Sequence, residues 1–215
     1  MTYRLAIFDY DGTLVDSRSC IVQSLAAALS CEATPEFSAR VRPQIGRSLA
    51  GVIRDLSTPA PSETRVDDLV ARYRKHYYAH EGRLIHLFPG VERVLRQLVA
   101  DGVKLAIATS KPAAAVTCTL ARLQLDGLFA AIVGDDSVTQ PKPHPEMLWN
   151  VLAGTGCSPS DSLMIGDTTF DIEMASAAGV PSCAVTYGNH DAGTLSAASP
   201  THMVHTADAI LDLFR

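Results

Sequence analysis

Two aspartates separated by one residue, Asp9 and Asp11, stand where the short apolar run LAIFD at 5–9 gives way to Gly12. Carboxylates at positions i and i+2 past a strand reach one site only if the backbone bends there, and glycine permits that bend because it has no Cβ to clash. Three further clusters sit in comparable places. A second apolar run ends in Thr109-Ser110-Lys111, a third leads into the loop QPKPHP that carries Lys142, and a fourth ends in Gly166-Asp167 with Asp171 close behind. In an open parallel sheet, ligands bind beyond the carboxyl ends of the strands, near the point where strand order reverses. These residues are therefore expected to converge. Carboxylates brought together repel one another unless a cation sits among them. All-oxygen ligation with open positions suits magnesium, which keeps several waters and uses few carboxylates. A single aspartate near a strand end is more often a turn former or helix cap. Repetition of that placement on separate strands, beside a hydroxyl and a lysine, is more than capping requires.

The elements that must position these groups can be read from periodicity. Apolar runs at 5–9, 104–109, 130–134, 163–167 and 181–187 predict strands buried on both faces. Helical patterns at 91–102, 113–125, 145–156 and 171–179 lie between the later strands. Strand alternating with helix predicts an α/β fold with a doubly wound, Rossmann-like parallel sheet. Gly102, Gly156 and Gly179 fall where helices should stop, and Pro89, Pro112 and Pro145 near where three should start. The stretch 16–86 breaks the rhythm. It holds amphipathic runs such as CIVQSLAAALS, SLAGVIRDL and VDDLVARYRKHYYAH, with a turn expected around STPAPSET, and it reads as a small helical insert. The expected division is a core of 1–15 and 87–215 with a helical insert domain of 16–86. The tail from Leu195 predicts one more short strand and a closing helix.

Composition narrows the classes of partner. The chain has 215 residues, 47% hydrophobic and 19% charged, which is globular rather than disordered usage. A formal charge of −5 and a pI near 5.8, without a long Lys/Arg run, argue against a nucleic-acid partner. No apolar run is long enough to suggest a membrane span, and the start MTYRLAIFDYDGT leaves no room for a secretory leader. Five cysteines without metal-like spacing cannot all pair within one chain. Reduced thiols in a cytoplasmic protein, monomeric or homodimeric, are expected.

The motifs together resemble haloacid dehalogenase superfamily hydrolases, in the branch that includes phosphoglycolate phosphatase and beta-phosphoglucomutase. DYDGT, IATSKP, PKPHP and GDTTFD occur in the family's order, with a helical segment between the first two. The resemblance implies that Asp9 is the nucleophile toward phosphorus and that Asp11 is the general acid and then base. It implies Mg2+ held by Asp9, the Asp11 carbonyl and Asp167, with Asp171 ligating directly or through water. Thr109 and Lys142 would grip the phosphoryl oxygens, helped by amides near Gly12 and Ser110. Arg47, in the cap segment, is placed by the resemblance to meet a distal anion of the substrate, or is a solvated residue at a helix start. The expected substrate is a small phosphorylated metabolite, with 2-phosphoglycolate the first candidate by analogy.

Rival activities differ at particular residues. Dehalogenases of the superfamily lack the second aspartate of the first motif, so Asp11 speaks against dehalogenation. Phosphonoacetaldehyde hydrolases also lack it and use a cap lysine, for which the insert offers only Lys75. Beta-phosphoglucomutases usually carry Val where this chain has Thr13, which favours a phosphatase over a phosphosugar mutase. A non-catalytic phosphometabolite-binding protein would not require both Asp9 and Asp11. His76, His80 and His86 are expected on helix surfaces or at the junction of insert and core, and Lys111 either adds positive potential beside Thr109 or is exposed.

Overall fold

The computed structural model describes residues 3–215; Met1 and Thr2, which the expected core segment and the expectation of a leaderless start include, lie outside the described residues. Leu5, Ala6, Ile7 and Phe8 form β1 (Leu5–Phe8), where an unbroken apolar run is required because both faces are covered. Leu5 and Ile7 pack with Met147, Leu148 and Met174, while Ala6 and Phe8 pack with Val94, Leu98 and Ile210 on the opposite face. The remaining strands of the sheet are β4 (Lys104–Ala108), β5 (Phe129–Val133), β6 (Ser162–Gly166), β7 (Ser182–Val185) and β8 (His202–Val204). Their order is β5-β4-β1-β6-β7-β8, and every pairing is parallel.

Helices α5 (Val91–Ala100), α6 (Ala113–Arg122), α7 (Glu146–Thr155) and α8 (Thr169–Ala178) supply the crossovers. The fold is thus the predicted α/β, Rossmann-like, doubly wound sheet. The chain runs outward from β1 through β4 to β5, then crosses back to β6 on the other side of β1. That reversal puts the carboxyl ends of β4, β1 and β6 side by side. Gly156 and Gly179 close α7 and α8 in the left-handed conformation, as their positions predicted.

Four helices occupy the segment between the paired short strands β2 (Val15–Asp16) and β3 (His86–Leu87): α1 (Arg18–Leu29), α2 (Pro35–Val41), α3 (Leu49–Leu56) and α4 (Glu63–Leu84). Along α4, Val66, Leu69, Tyr73 and Tyr77 form the buried stripe. Helix α2 was not anticipated, being a two-turn element with only Phe37 and Val41 buried. Past β7 the chain forms a short helix, α9 (Ala192–Ala197), then β8 and a closing 3₁₀ helix over Ala207–Phe214. The strand and closing helix match expectation; α9 does not, because only Leu195 in it is buried and no periodic pattern marks it. Among the described residues, no helix is long and apolar enough to cross a membrane.

Candidate active site

At the end of β1 the chain must turn while keeping Asp9 inside. The Asp9 amide still bonds to the Ile165 carbonyl at 2.8 Å, so the residue remains in register with β6. Immediately afterwards the Tyr10 carbonyl accepts from the amides of Leu14 and Val15, closing a tight turn in which Gly12 adopts φ +93°. Glycine is required there twice over. A Cβ at residue 12 would meet Asp167 Oδ2 at 2.1 Å and Asn189 Nδ2 at 2.3 Å. The turn therefore brings the Gly12 backbone directly against the end of β6.

Asp9, Asp167 and Asp171 come together with carboxylate oxygens within 4.8 Å of one another, all three buried. Lys142 reaches in from the loop after β5 and pairs with Asp9 Oδ1 and Asp171 Oδ1, each at 2.7 Å. The other oxygen of Asp171 accepts from the amide and hydroxyl of Thr168, which fixes the carboxylate to the first turn of α8. Asp167 accepts from the Thr13 hydroxyl at 3.0 Å, from the Asn189 amide at 2.7 Å and from Asn189 Nδ2 at 2.9 Å. Asp11 points elsewhere. Its carboxylate accepts from Ser17 Oγ at 2.5 Å and pairs with Lys111 at 2.9 Å. Thr109 is buried just past β4, its backbone N–H donates to the Val133 carbonyl, and its hydroxyl accepts from the Lys111 amide. Ser110 donates its hydroxyl to the Gly46 carbonyl at 2.6 Å, joining the β4 loop to the helical segment.

Burial dominates the electrostatics. It pushes Asp9 up to about 7, against the pull of Lys142, while Asp171 and Asp11 push further up. Asp167 is also held well above the usual carboxylate range, by burial first and then by Asp9 and Asp171. Burial works against the charge on Lys142, yet Asp171 and Asp9 overcome it and keep its pKa raised. Three carboxylates thus share a buried site with one lysine. The excess of hard, anionic oxygen donors fits a divalent cation.

A cavity of about 80 Å³ opens above Asp9 and Asp11, walled by Thr109, Ser110 and Lys111 on one side and by the helical segment on the other. Arg47 lines it, but its guanidinium is paired with Asp55 at 2.6 Å and with Gln44. Lys111 is mostly buried, pairs with Asp11 and sits 3.9 Å above the Tyr77 ring, so it is not the exposed side chain of the second reading. His76 and His80 stack on one another along α4, and His86 is exposed in β3.

Residues 6–185 match the family model for haloacid dehalogenase-like hydrolase. The chain belongs to that family. It is 35% identical to the probable phosphatase IndB of Dickeya dadantii, over 96% of this chain and 91% of that protein. It is 34% identical to the plasmid phosphoglycolate phosphatase of Cupriavidus necator, over 95% and 90%. Among solved structures, a predicted phosphoglycolate phosphatase from Haemophilus somnus superposes with a TM-score of 0.90 at 26% identity, covering 100% of this chain and 99% of the other.

In this hydrolase, sequence reasoning did not single out Asn189, Ser17 or the Thr13 contact to Asp167. Asn189 carried only a weak signal, because it lies beyond the buried strand β7 but not directly at its end, as Thr109 is for β4 and Asp167 for β6. Ser17 had none, being one of several hydroxyls near the start of α1.

Proposed function

We propose that the chain is a Mg2+-dependent phosphatase that hydrolyses a small phosphomonoester through a phosphorylated Asp9. The observation that carries this is the buried Asp9 carboxylate, within reach of Lys142 and Asp167 at the floor of a cavity that also holds Asp11. Residues 16–86 act as a cap over a core of 1–15 and 87–215, and the cavity walls drawn from both support that division. Mg2+, held by Asp9, Asp167 and the Asp11 carbonyl, with Asp171 direct or through water, would neutralise charge gathering between carboxylate and phosphoryl oxygens.

Lys142, the Thr109 hydroxyl and backbone amides near Gly12 and Ser110 bind the non-bridging phosphoryl oxygens. One Asp9 oxygen then attacks phosphorus in line as the bond to the alcohol breaks, and protonated Asp11 gives its proton to the departing alkoxide. In the second half, Asp11 as a carboxylate takes a proton from water. That water attacks the phosphoryl group, frees inorganic phosphate and restores Asp9. Positioning and charge neutralisation lower the barrier in such transfers, so buried, pre-paired side chains are well suited to the task. The relatives named phosphatase support the reaction class, and those named phosphoglycolate phosphatase make 2-phosphoglycolate the reference compound to assay.

The test is acid quenching during turnover with Mg2+, followed by mass spectrometry. A phosphoryl group on the peptide that contains Asp9 is expected. Turnover with label on another residue, or with none at any quench time, would overturn the nucleophile assignment.

A further inference from the structure

The loop that follows β7 is pressed against Asp167 and held there from the helical segment. A Cβ on Gly188 would meet Asp167 Oδ2 and the Gly12 carbonyl oxygen, each at 2.4 Å, so only glycine lets the backbone come this close. Asn189, next along and buried, directs its backbone N–H and its Nδ2 to the same Asp167 oxygen, at 2.7 and 2.9 Å. Nδ2 also lies 3.5 Å from the Asp11 carbonyl. The outer side of the carboxamide meets Arg18, the first residue of α1. Its Nε donates to Asn189 Oδ1 at 3.1 Å, and its Nη2 donates to the Gly188 carbonyl at 2.6 Å. Arg42 holds the loop backbone separately, through a bond from Nε to the Asn189 carbonyl at 2.5 Å.

A carboxamide accepts at one end and donates at the other, whereas an arginine side chain only donates. Arg18 therefore keeps Oδ1 outward and Nδ2 inward. Turned over, the amide would set Oδ1 against Asp167 Oδ2 and the Asp11 carbonyl, replacing attraction by repulsion at two of the groups assigned to the cation. Resting on the phosphatase reading above, in which those groups hold Mg2+, we propose that Arg18 is a positioning residue for the cation site. It acts without touching the ligands: Arg18 fixes the orientation of Asn189, and Asn189 fixes Asp167.

The Mg2+ dissociation constant of the substrate-free protein, measured by isothermal titration calorimetry at fixed pH, tests this without turnover. Asn189→Ala is expected to weaken binding about tenfold, as for loss of an outer partner of a metal ligand. Arg18→Met should fold, because it keeps a long stem at a half-buried position and Arg42 still holds the loop. It is expected to weaken binding at least about threefold. Removing a positive charge would by itself favour a divalent cation, so the predicted sign is opposite to that of a bulk charge effect. Added to Asn189→Ala, Arg18→Met should weaken binding less than about threefold further, because its path is already cut. Wild-type binding with a loss below about threefold in Arg18→Met or in Asn189→Ala, or with full additivity in the double variant, would overturn the inference and leave the phosphatase reading standing. Wild type that binds no Mg2+ would overturn both.

Discussion

Lys142 touches both Asp9 and Asp171 with its side chain fully buried, so its charge is compensated by those two carboxylates. Replacing it by methionine leaves two buried anions without their partner, a loss of the order of 3–5 kcal/mol for a broken buried pair. Lys142→Met is therefore expected to melt markedly lower than wild type without Mg2+ and to lose activity. A melting temperature unchanged by that substitution would show that the carboxylates are not held as described. Thr13 acts more subtly, through one hydrogen bond to Asp167. Removing an outer partner of a metal ligand typically weakens metal binding by about 10–100-fold, so Thr13→Val should raise the Mg2+ concentration needed for half-maximal turnover within that range. Activity titrated against Mg2+ measures it, and an unshifted midpoint would remove Thr13 from the site's support.

At the scale of elements, the strands were legible because a parallel strand buried on both faces must be an unbroken apolar run, and LAIF or LAIA admits little else. The polar residues just past those runs followed from topology, and three strand ends do meet at the reversal between β4, β1 and β6. Short elements were not legible: α2 and α9 bury too few side chains for a helical period to show. The direction of side chains in the helical segment was equally hidden, since the residue types alone do not say that Arg47, just before α3, turns to Asp55 near the end of that helix. Helix α4 carries one testable irregularity. Among the described residues the buried Tyr77 hydroxyl has no hydrogen-bond partner, and a buried unpaired polar group costs about 1–3 kcal/mol. Tyr77→Phe is accordingly expected to raise the melting temperature by a few degrees, and a lower melting temperature would mean that the hydroxyl is satisfied.

For the whole molecule, the gathering of acids at one end of the sheet makes folding and cation binding compete with protons. Asp9, raised to about 7, and Asp167, raised well above the usual range, both titrate in an unfolded chain near ~3.9. Between those limits the native state holds more protons than the unfolded state, so cation-free stability falls as pH rises from about 4 through about 7. A divalent ion held by those carboxylates would take the place of the protons. Saturating Mg2+ should raise the melting temperature more at about pH 8 than at about pH 6, and equal increments at the two pH values would contradict the coupling.

Steady-state phosphate release from a small phosphomonoester, compared for wild type with Mg2+, wild type with EDTA, and Asp9→Asn with Mg2+, probes the joint action of nucleophile and cation. The expected result is turnover in the first condition alone. Sustained release by Asp9→Asn, or release indifferent to EDTA, would contradict it.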